Sequence, residues 1–172
     1  MKQLLITVFT MFSIPLVAQD MDKRGYIVSE GQQAPNFELT LLSGETLSNE
    51  SLMGKVVVLQ FTASWCSVCR NEMPHLESEV WQEFKNYDFI LIGIDLKEDE
   101  VTTKAFIKDI GTTYPVALDL DGSLFNLFAG PKQGVTRNIV IDKTGTISFL
   151  TRLYEREEFE EMISVIELEL KK

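Results

Sequence analysis

Cysteine and histidine are nearly missing from this chain. Its 172 residues hold two cysteines and one histidine, His75. A structural zinc site takes about four ligands, mostly cysteine and histidine, and this supply is too small for one. A framework of several disulfides is excluded for the same reason. Basic residues are also scarce, 16 against 26 acidic ones, for a formal charge of −10. Such a surface repels nucleic-acid phosphates and anionic membranes, so no nucleic-acid partner is expected. It suits a soluble protein, or one that meets basic patches on its partners. No internal repeat and no low-complexity tract interrupts the chain.

The first 18 residues have the parts of a secretory signal. Lys2 supplies a positive start, and residues 4–18 are apolar but for Thr7, Thr10 and Ser13. Leu16-Val17-Ala18 ends on a small residue before Gln19, the expected point of cleavage. The apolar run is shorter than the roughly 20 residues of a membrane span. No cysteine follows the cut to accept a lipid. An exported, periplasmic protein is expected; the alternative is an inner-membrane anchor that stays uncleaved. Without Lys2 the balance is 15 basic against 26 acidic residues, a net charge of −11. Either way the folded part faces an oxidising compartment, where a lone cysteine pair points to catalysis.

That pair lies in Trp65-Cys66-Ser67-Val68-Cys69. A strand-like run, residues 55–61, precedes it and a helix-like run, 70–76, follows. The pair therefore sits where a strand hands over to a helix. At i and i+3 on a helix two side chains share a face and their sulfurs can meet. The first cysteine lies at the positive end of the helix dipole, over unpaired N–H groups, which favours a thiolate. A thiolate attacks disulfides, and a closing pair carries two electrons. A purely structural bridge over so short a loop would gain little. Redox chemistry is the reading, and neither a cofactor nor a metal is expected.

Residues 36–41 alternate apolar and polar, as a strand with one buried face does. Ser43-Gly44 turns them into a short return strand, 45–47. Residues 56–61 are almost wholly apolar, which suits a central strand buried on both faces. A helix is expected from Cys66 to about Tyr87, with Met73, Leu76, Val80 and Phe84 inward and a kink at Pro74. Residues 89–95 form a second central strand. A helix over 98–110 points Val101, Ala105, Phe106 and Ile110 inward and closes at Gly111. An edge strand (115–118), a short helix (123–129), a third core strand (139–142) and a hairpin partner (146–150) follow. An amphipathic helix over 155–170 closes the chain, with Phe159, Met162, Ile163, Ile166 and Leu170 inward. The acidic runs 97–100 and 155–158 read as solvated helix starts. The class is α/β: a mixed sheet with helices on both faces and an N-terminal β-hairpin extension.

This chain resembles the thioredoxin superfamily, and within it the TlpA-like (redoxin) branch of exported thiol-disulfide oxidoreductases. The resemblance covers residues 31–170. It rests on Gln33-Ala34-Pro35-Asn36-Phe37, on the string from Val58 through the CxxC to Pro74, on Leu91-Ile92-Gly93-Ile94-Asp95 and on Ile139-Val140-Ile141-Asp142-Lys143-Thr144-Gly145. With the signal read at 1–18, this leaves a lead-in segment at 19–30, and the resemblance implies one thioredoxin-like domain at 31–172. It also implies a thiol-disulfide oxidoreductase with Cys66 as the attacking and Cys69 as the resolving thiol of a redox-active disulfide. Trp65 matches the tryptophan beside that disulfide. Glu72 matches an acidic residue thought to move the resolving thiol's proton. The implied partners are proteins with disulfides or dithiols, together with an upstream electron donor that could be membrane-bound.

Two positions depart from the pattern. Thioredoxins place a buried Asp six residues before the first cysteine, and this chain has Gln60. The superfamily's cis-proline position falls on Thr136, within Gly134-Val135-Thr136-Arg137-Asn138. A cis bond before a non-proline costs about 2.5–4 kcal/mol, so the Val135–Thr136 bond is expected to be trans. Val135 and Thr136 are the expected substrate ledge, reshaped by that change, with the Thr136 hydroxyl or the Val135 backbone facing Cys66. Two other functions are weighed against this one. A thiol peroxidase needs Thr or Ser three residues before its reactive cysteine, where this chain has Ala63; Thr62 is one position off. A copper chaperone of this fold needs a distant histidine, and His75 lies on the same expected helix as the cysteines.

Overall fold

A computed structural model describes residues 21–172. The expected signal, 1–18, lies outside the described residues, as do the first two residues of the lead-in. Strand β3, Val56–Thr62, is buried at all seven positions. Its β-branched and aromatic side chains suit a pleated, packed surface. It runs through the middle of a five-stranded sheet of order β5-β4-β3-β6-β7. Strands β4 (Phe89–Leu96) and β5 (Val116–Asp119) run parallel to it; β6 (Arg137–Ile141) is antiparallel to β3, and β7 (Ile147–Leu150) is antiparallel to β6. Burial on both faces is why β3 and β4 read as continuous apolar runs. The hairpin of β1 (Glu38–Thr40) and β2 (Thr46–Ser48) forms a separate two-stranded sheet.

The two faces of β3 have different neighbours. Phe61 meets Phe125 edge-on at 5.3 Å and Phe128 at 5.8 Å, so a 3-10 turn, Phe125–Leu127, covers that face. The opposite face, which carries Gln60, holds the helix after the cysteines. The single helix expected there is three consecutive pieces: α1 (Ser67–His75), a π-helical stretch (Leu76–Trp81) and α2 (Gln82–Phe84). Pro74 lies inside α1 and supplies no N–H to the ladder. Beyond it the bonding slips to i→i−5, as the Gln82 N–H bond to Glu77 O shows. Met73, Leu76 and Val80 are buried and Phe84 is half-buried.

Helix α3, Glu100–Ile110, corrects two expected core positions. Val101 and Ala105 are exposed; Thr103 and Phe106 are buried, with Ile107 and Ile110 half-buried. The Asp99 side chain caps the helix by accepting from Thr102 N at 2.8 Å, and Gly111 closes it at φ 83°. That phase turns 103, 106, 107 and 110 to the sheet, the i, i+3, i+4, i+7 stripe of an amphipathic helix. Thr103 can be buried because its hydroxyl donates to Asp99 O at 3.0 Å. Helix α4, Arg156–Lys171, buries Phe159, Met162 and Ile166, with Ile163 and Leu170 half-buried. The His75 ring stacks on Tyr154 at 5.2 Å and meets Phe159 edge-on, which joins α1 to α4.

The weakly patterned segment before the hairpin is also tied in. Tyr26 is fully buried under the Arg137 guanidinium, 4.5 Å from its ring centre. Arg137 donates from Nη2 to Arg24 O at 2.8 Å and from Nε to Gly134 O at 3.0 Å. These bonds hold the loop that leads into β6. Among the described residues no helix is long and apolar enough to cross a membrane.

Phe61 joins β3 to the 3-10 turn, so Phe61→Ala should cost about 3–5 kcal/mol in urea denaturation. A cost below about 1 kcal/mol would mean that the Phe125 and Phe128 contacts collapse to fill the space.

Candidate active site

Cys66 is the N-cap of α1. Its backbone is extended, φ −86° and ψ 107°, and its sulfur accepts the Cys69 N–H at 3.1 Å. The sulfur thus takes one of the N–H groups that a helix start leaves unpaired. The two sulfurs are at disulfide-bonding distance, with Cα atoms 5.3 Å apart. Cys66 keeps 7 % of its surface exposed and Cys69 none. The outer sulfur is the one a partner can reach.

Counting back from β6 places Thr136 correctly. Its hydroxyl lies 3.4 Å from Cys66 Sγ and 2.8 Å from Cys69 Sγ, and both Thr136 and Val135 are buried. The expected peptide geometry is corrected: the Val135–Thr136 bond is cis. The intrinsic preference for trans describes a free peptide, and here the neighbouring groups are held. Arg152 Nη1 donates to Val135 O at 3.4 Å and to Thr136 O at 3.3 Å. Leu153 N donates to Thr136 O at 3.0 Å, and the Thr136 side chain is packed on the sulfurs.

Glu72 points inward. One turn beyond Cys69, it is buried on the inner face of α1. Strands β3 and β6 pair Gln60 with Asn138 and so bring two amides together beneath it. Asn138 Nδ2 donates to Glu72 Oε1 at 2.7 Å, and Gln60 Nε2 donates to Glu72 Oε2 at 3.3 Å. Asn138 Nδ2 also donates to Thr151 Oγ1 at 2.9 Å. Burial pushes the carboxyl from its ordinary value of 4.5 up to about 8; the two amide donors oppose the shift and Glu158 adds slightly to it. A carboxyl that titrates near the pH of its surroundings can take or give a proton.

The loop before Cys66 is clamped from α3's side. Ser64 donates to the Glu98 carboxylate from both N and Oγ, each at 2.6 Å, and Ser64 O accepts from Arg70 Nε at 2.8 Å. Glu98, read from the sequence as part of a solvated helix start, is half-buried and holds this loop. Below it Asp95 is fully buried, and desolvation, with the Glu98 charge adding to it, pushes its carboxyl up to about 7. Trp65, on the clamped loop, is 66 % exposed beside the cysteines. Reasoning from sequence missed Glu98, Asn138 and Tyr114, whose hydroxyl bonds Gln60 at 2.8 Å. The signal that could have found Asn138 is its place two residues after Thr136, on the same side of a strand.

The residues of the competing readings are engaged elsewhere. Thr62 gives its hydroxyl to Met73 Sδ at 3.3 Å. His75 Nδ1 bonds Glu79 at 2.8 Å. Among the described residues no group of three or more His, Cys, Asp or Glu side chains could hold a metal ion.

A central mixed sheet with a CxxC pair capping the first helix after its middle strand defines a thioredoxin-fold dithiol protein. Residues 30–150 match the AhpC/TSA family, and the chain belongs to it. Thiol-disulfide oxidoreductase ResA of Bacillus cereus is 33 % identical over 118 residues, 68 % of this chain and 66 % of that protein. The chain therefore spans just under two thirds of that relative. The thioredoxin-like protein YneN of Bacillus subtilis is 32 % identical over 132 residues, 75 % of each chain. A solution structure from Bacteroides thetaiotaomicron, provisionally called a protein disulfide isomerase, is 49 % identical. It covers 86 % of this chain and 94 % of its own, with a TM-score of 0.83.

The buried carboxyl makes stability depend on pH. The folded chain keeps the Glu72 proton between about pH 4.5 and 8, where the unfolded chain has lost it. That contribution is fully present below about 4.5 and is lost as pH rises through about 8. Asp95 acts in the same direction up to about 7. The denaturation midpoint of the oxidised protein should therefore fall from pH 5 to 8, and Glu72→Gln should flatten part of the fall. Identical slopes for the two proteins would show that Glu72 is ionised across that range.

Proposed function

We propose that this chain is a thiol-disulfide oxidoreductase that exchanges disulfides with partner proteins through Cys66 and Cys69. The observation that carries the reading is the asymmetry of the pair: Cys66 is the N-cap residue and keeps a small part of its surface exposed, and Cys69 is sealed beneath it. In the reducing direction the Cys66 thiolate attacks a partner disulfide. A Cys66–partner S–S bond forms and the partner's other sulfur leaves as a thiolate. Cys69 then gives its proton to Glu72 and attacks Cys66 Sγ. The intramolecular disulfide closes, and the second partner sulfur leaves with the electron pair. Two electrons have moved to the partner, which takes its protons from solvent. Oxidation of a partner dithiol is the reverse.

Thr136 contributes a hydroxyl within reach of both sulfurs, placed to donate to whichever is a thiolate. Val135 and the exposed ring of Trp65 form the surface that receives the partner chain. Glu72 is the proton acceptor for Cys69 in its ionised fraction, because it is the buried carboxyl one turn away and titrates at about 8. The signal read in residues 1–18 supports a site of action in the cell envelope, with a separate electron donor to recharge the pair. The names of the ResA and YneN relatives fit the reading.

Cys69→Ser should accumulate a mixed disulfide with a disulfide-bearing substrate protein, because the first attack succeeds and nothing resolves it. Cys66→Ser should accumulate less by roughly tenfold or more near pH 6, where only a thiol of depressed pKa is ionised. Non-reducing electrophoresis with mass mapping reads both. Equal trapping through Cys69 would contradict the division of labour.

A further inference from the structure

Glu72 is reached from the β5 edge of the sheet by a chain of side chains that the sulfur chemistry does not itself use. Tyr114 lies between α3 and β5, is buried, and donates its hydroxyl proton to Gln60 Oε1 at 2.8 Å. Gln60 in turn donates from Nε2 to Glu72 Oε2 at 3.3 Å. The Tyr114 ring gets there by crossing β4 at Gly93, which pairs with Gln60 across the sheet. A Cβ at position 93 would lie 3.2 Å from Tyr114 Cε2, 3.2 Å from Val116 Cγ2 and 3.7 Å from Gln60 Oε1. A side chain there would press on the ring, so the glycine leaves the slot that the ring fills.

A primary amide has a donor end and an acceptor end of nearly equal size. Left alone, Gln60 could turn either end to the carboxyl. With its carbonyl toward Glu72 it would repel a carboxylate and accept from a protonated carboxyl. With its NH₂ toward Glu72 it supports the ionised form. The Tyr114 hydroxyl on the far side of the amide, which donates to Oε1 at 2.8 Å, decides between the two. We propose that Tyr114 is a positioning residue for Glu72: its hydroxyl, reaching through the slot at Gly93, locks the Gln60 amide with Nε2–H facing the carboxyl.

Burial holds the Tyr114 phenol well above its ordinary value, with the Glu72 charge adding to the effect. It therefore keeps a proton to donate across the range in which Glu72 titrates. The other groups that bear on Glu72 are Asn138 from β6, Glu158 near the start of α4, and the cysteine pair on its own helix. None of them touches Gln60 Oε1, whose partner is Tyr114. The inference rests on the reading of Glu72 as the proton acceptor for Cys69, and it adds what keeps that acceptor ready to ionise.

The test is a carboxyl-carbon NMR titration of the full oxidised chain with ¹³C-labelled glutamate, from pH 5 to 10. Tyr114→Phe keeps the ring and removes the donor. The Glu72 midpoint should then rise by about one pH unit, the scale of one hydrogen bond to a charged group. Gln60→Leu should raise it as well. In the Gln60→Leu background, adding Tyr114→Phe should change nothing, because Tyr114 acts through Gln60. An unchanged midpoint in Tyr114→Phe would overturn the proposal. So would an equal shift with and without Gln60, which would reduce Tyr114 to a packing residue. The titration does not depend on Glu72 acting in catalysis. Normal resolution kinetics in Glu72→Gln would end the reading of Glu72 as a base and leave the locked amide standing.

Discussion

A carboxyl group without water must either hold a proton or be given donors, and the interior around Glu72 does some of each. Desolvation alone would keep it neutral well into the alkaline range. The pairing of Gln60 with Asn138 across β3 and β6 supplies two N–H donors at the place where the carboxyl enters. Those donors pull it back to the range in which a thiol's proton can be exchanged. Gln60 is the one polar position between Val56 and Phe61 in an otherwise apolar strand, and it lies on the face that α1 covers. The rest of the site follows from that placement. The helix must begin at Cys66 for Glu72 to point inward one turn and a half later, and β6 must lie beside β3 for Asn138 to reach it.

The same strand pairing brings Thr136 to the sulfurs. Residues 136 and 138 lie two apart, so both face α1, one under the cysteines and one under the carboxyl. The site is thus read twice by a single strand start. Its upper rim is held separately: Glu98 grips Ser64 by two bonds, and Arg70 binds the same residue's carbonyl. The clamped loop sets an exposed tryptophan next to a slightly exposed cysteine while the second cysteine stays covered.

Much of this was legible in the chain. The apolar runs at 56–61 and 89–95 announce strands covered on both faces, and the cysteine spacing announces a helix start. Thr136 was found by counting back from β6, because position along a strand is a local property. What failed was of another kind. The cis geometry at Val135–Thr136 runs against the preference for trans before a non-proline, and the Arg152 and Leu153 donors that bond its carbonyls lie far along the chain. Apolar residues alone put Val101 and Ala105 inward on α3, whereas the Asp99 cap and a satisfied Thr103 go with the observed phase. Glu98 read as solvated because it stands in a charged run, yet its partner is 34 residues away. Asn138 and Tyr114 meet the Glu72 network across 66 and 54 residues, and only strand register could have predicted either.

The central claim is that Glu72 takes the Cys69 proton as the mixed disulfide resolves. Glu72→Gln keeps the shape and removes the base, and it keeps an acceptor for one of the two amide donors. Stopped-flow reduction of a small disulfide, followed across pH 5 to 9, separates the first attack from the resolution step. The account predicts slower resolution in the variant, most clearly as pH rises toward about 8, where a growing share of Glu72 has lost its own proton and can take one from Cys69, with the first attack by Cys66 nearly unchanged. Resolution rates that superimpose at every pH would contradict it and leave Glu72 as a buried carboxyl with no part in the chemistry.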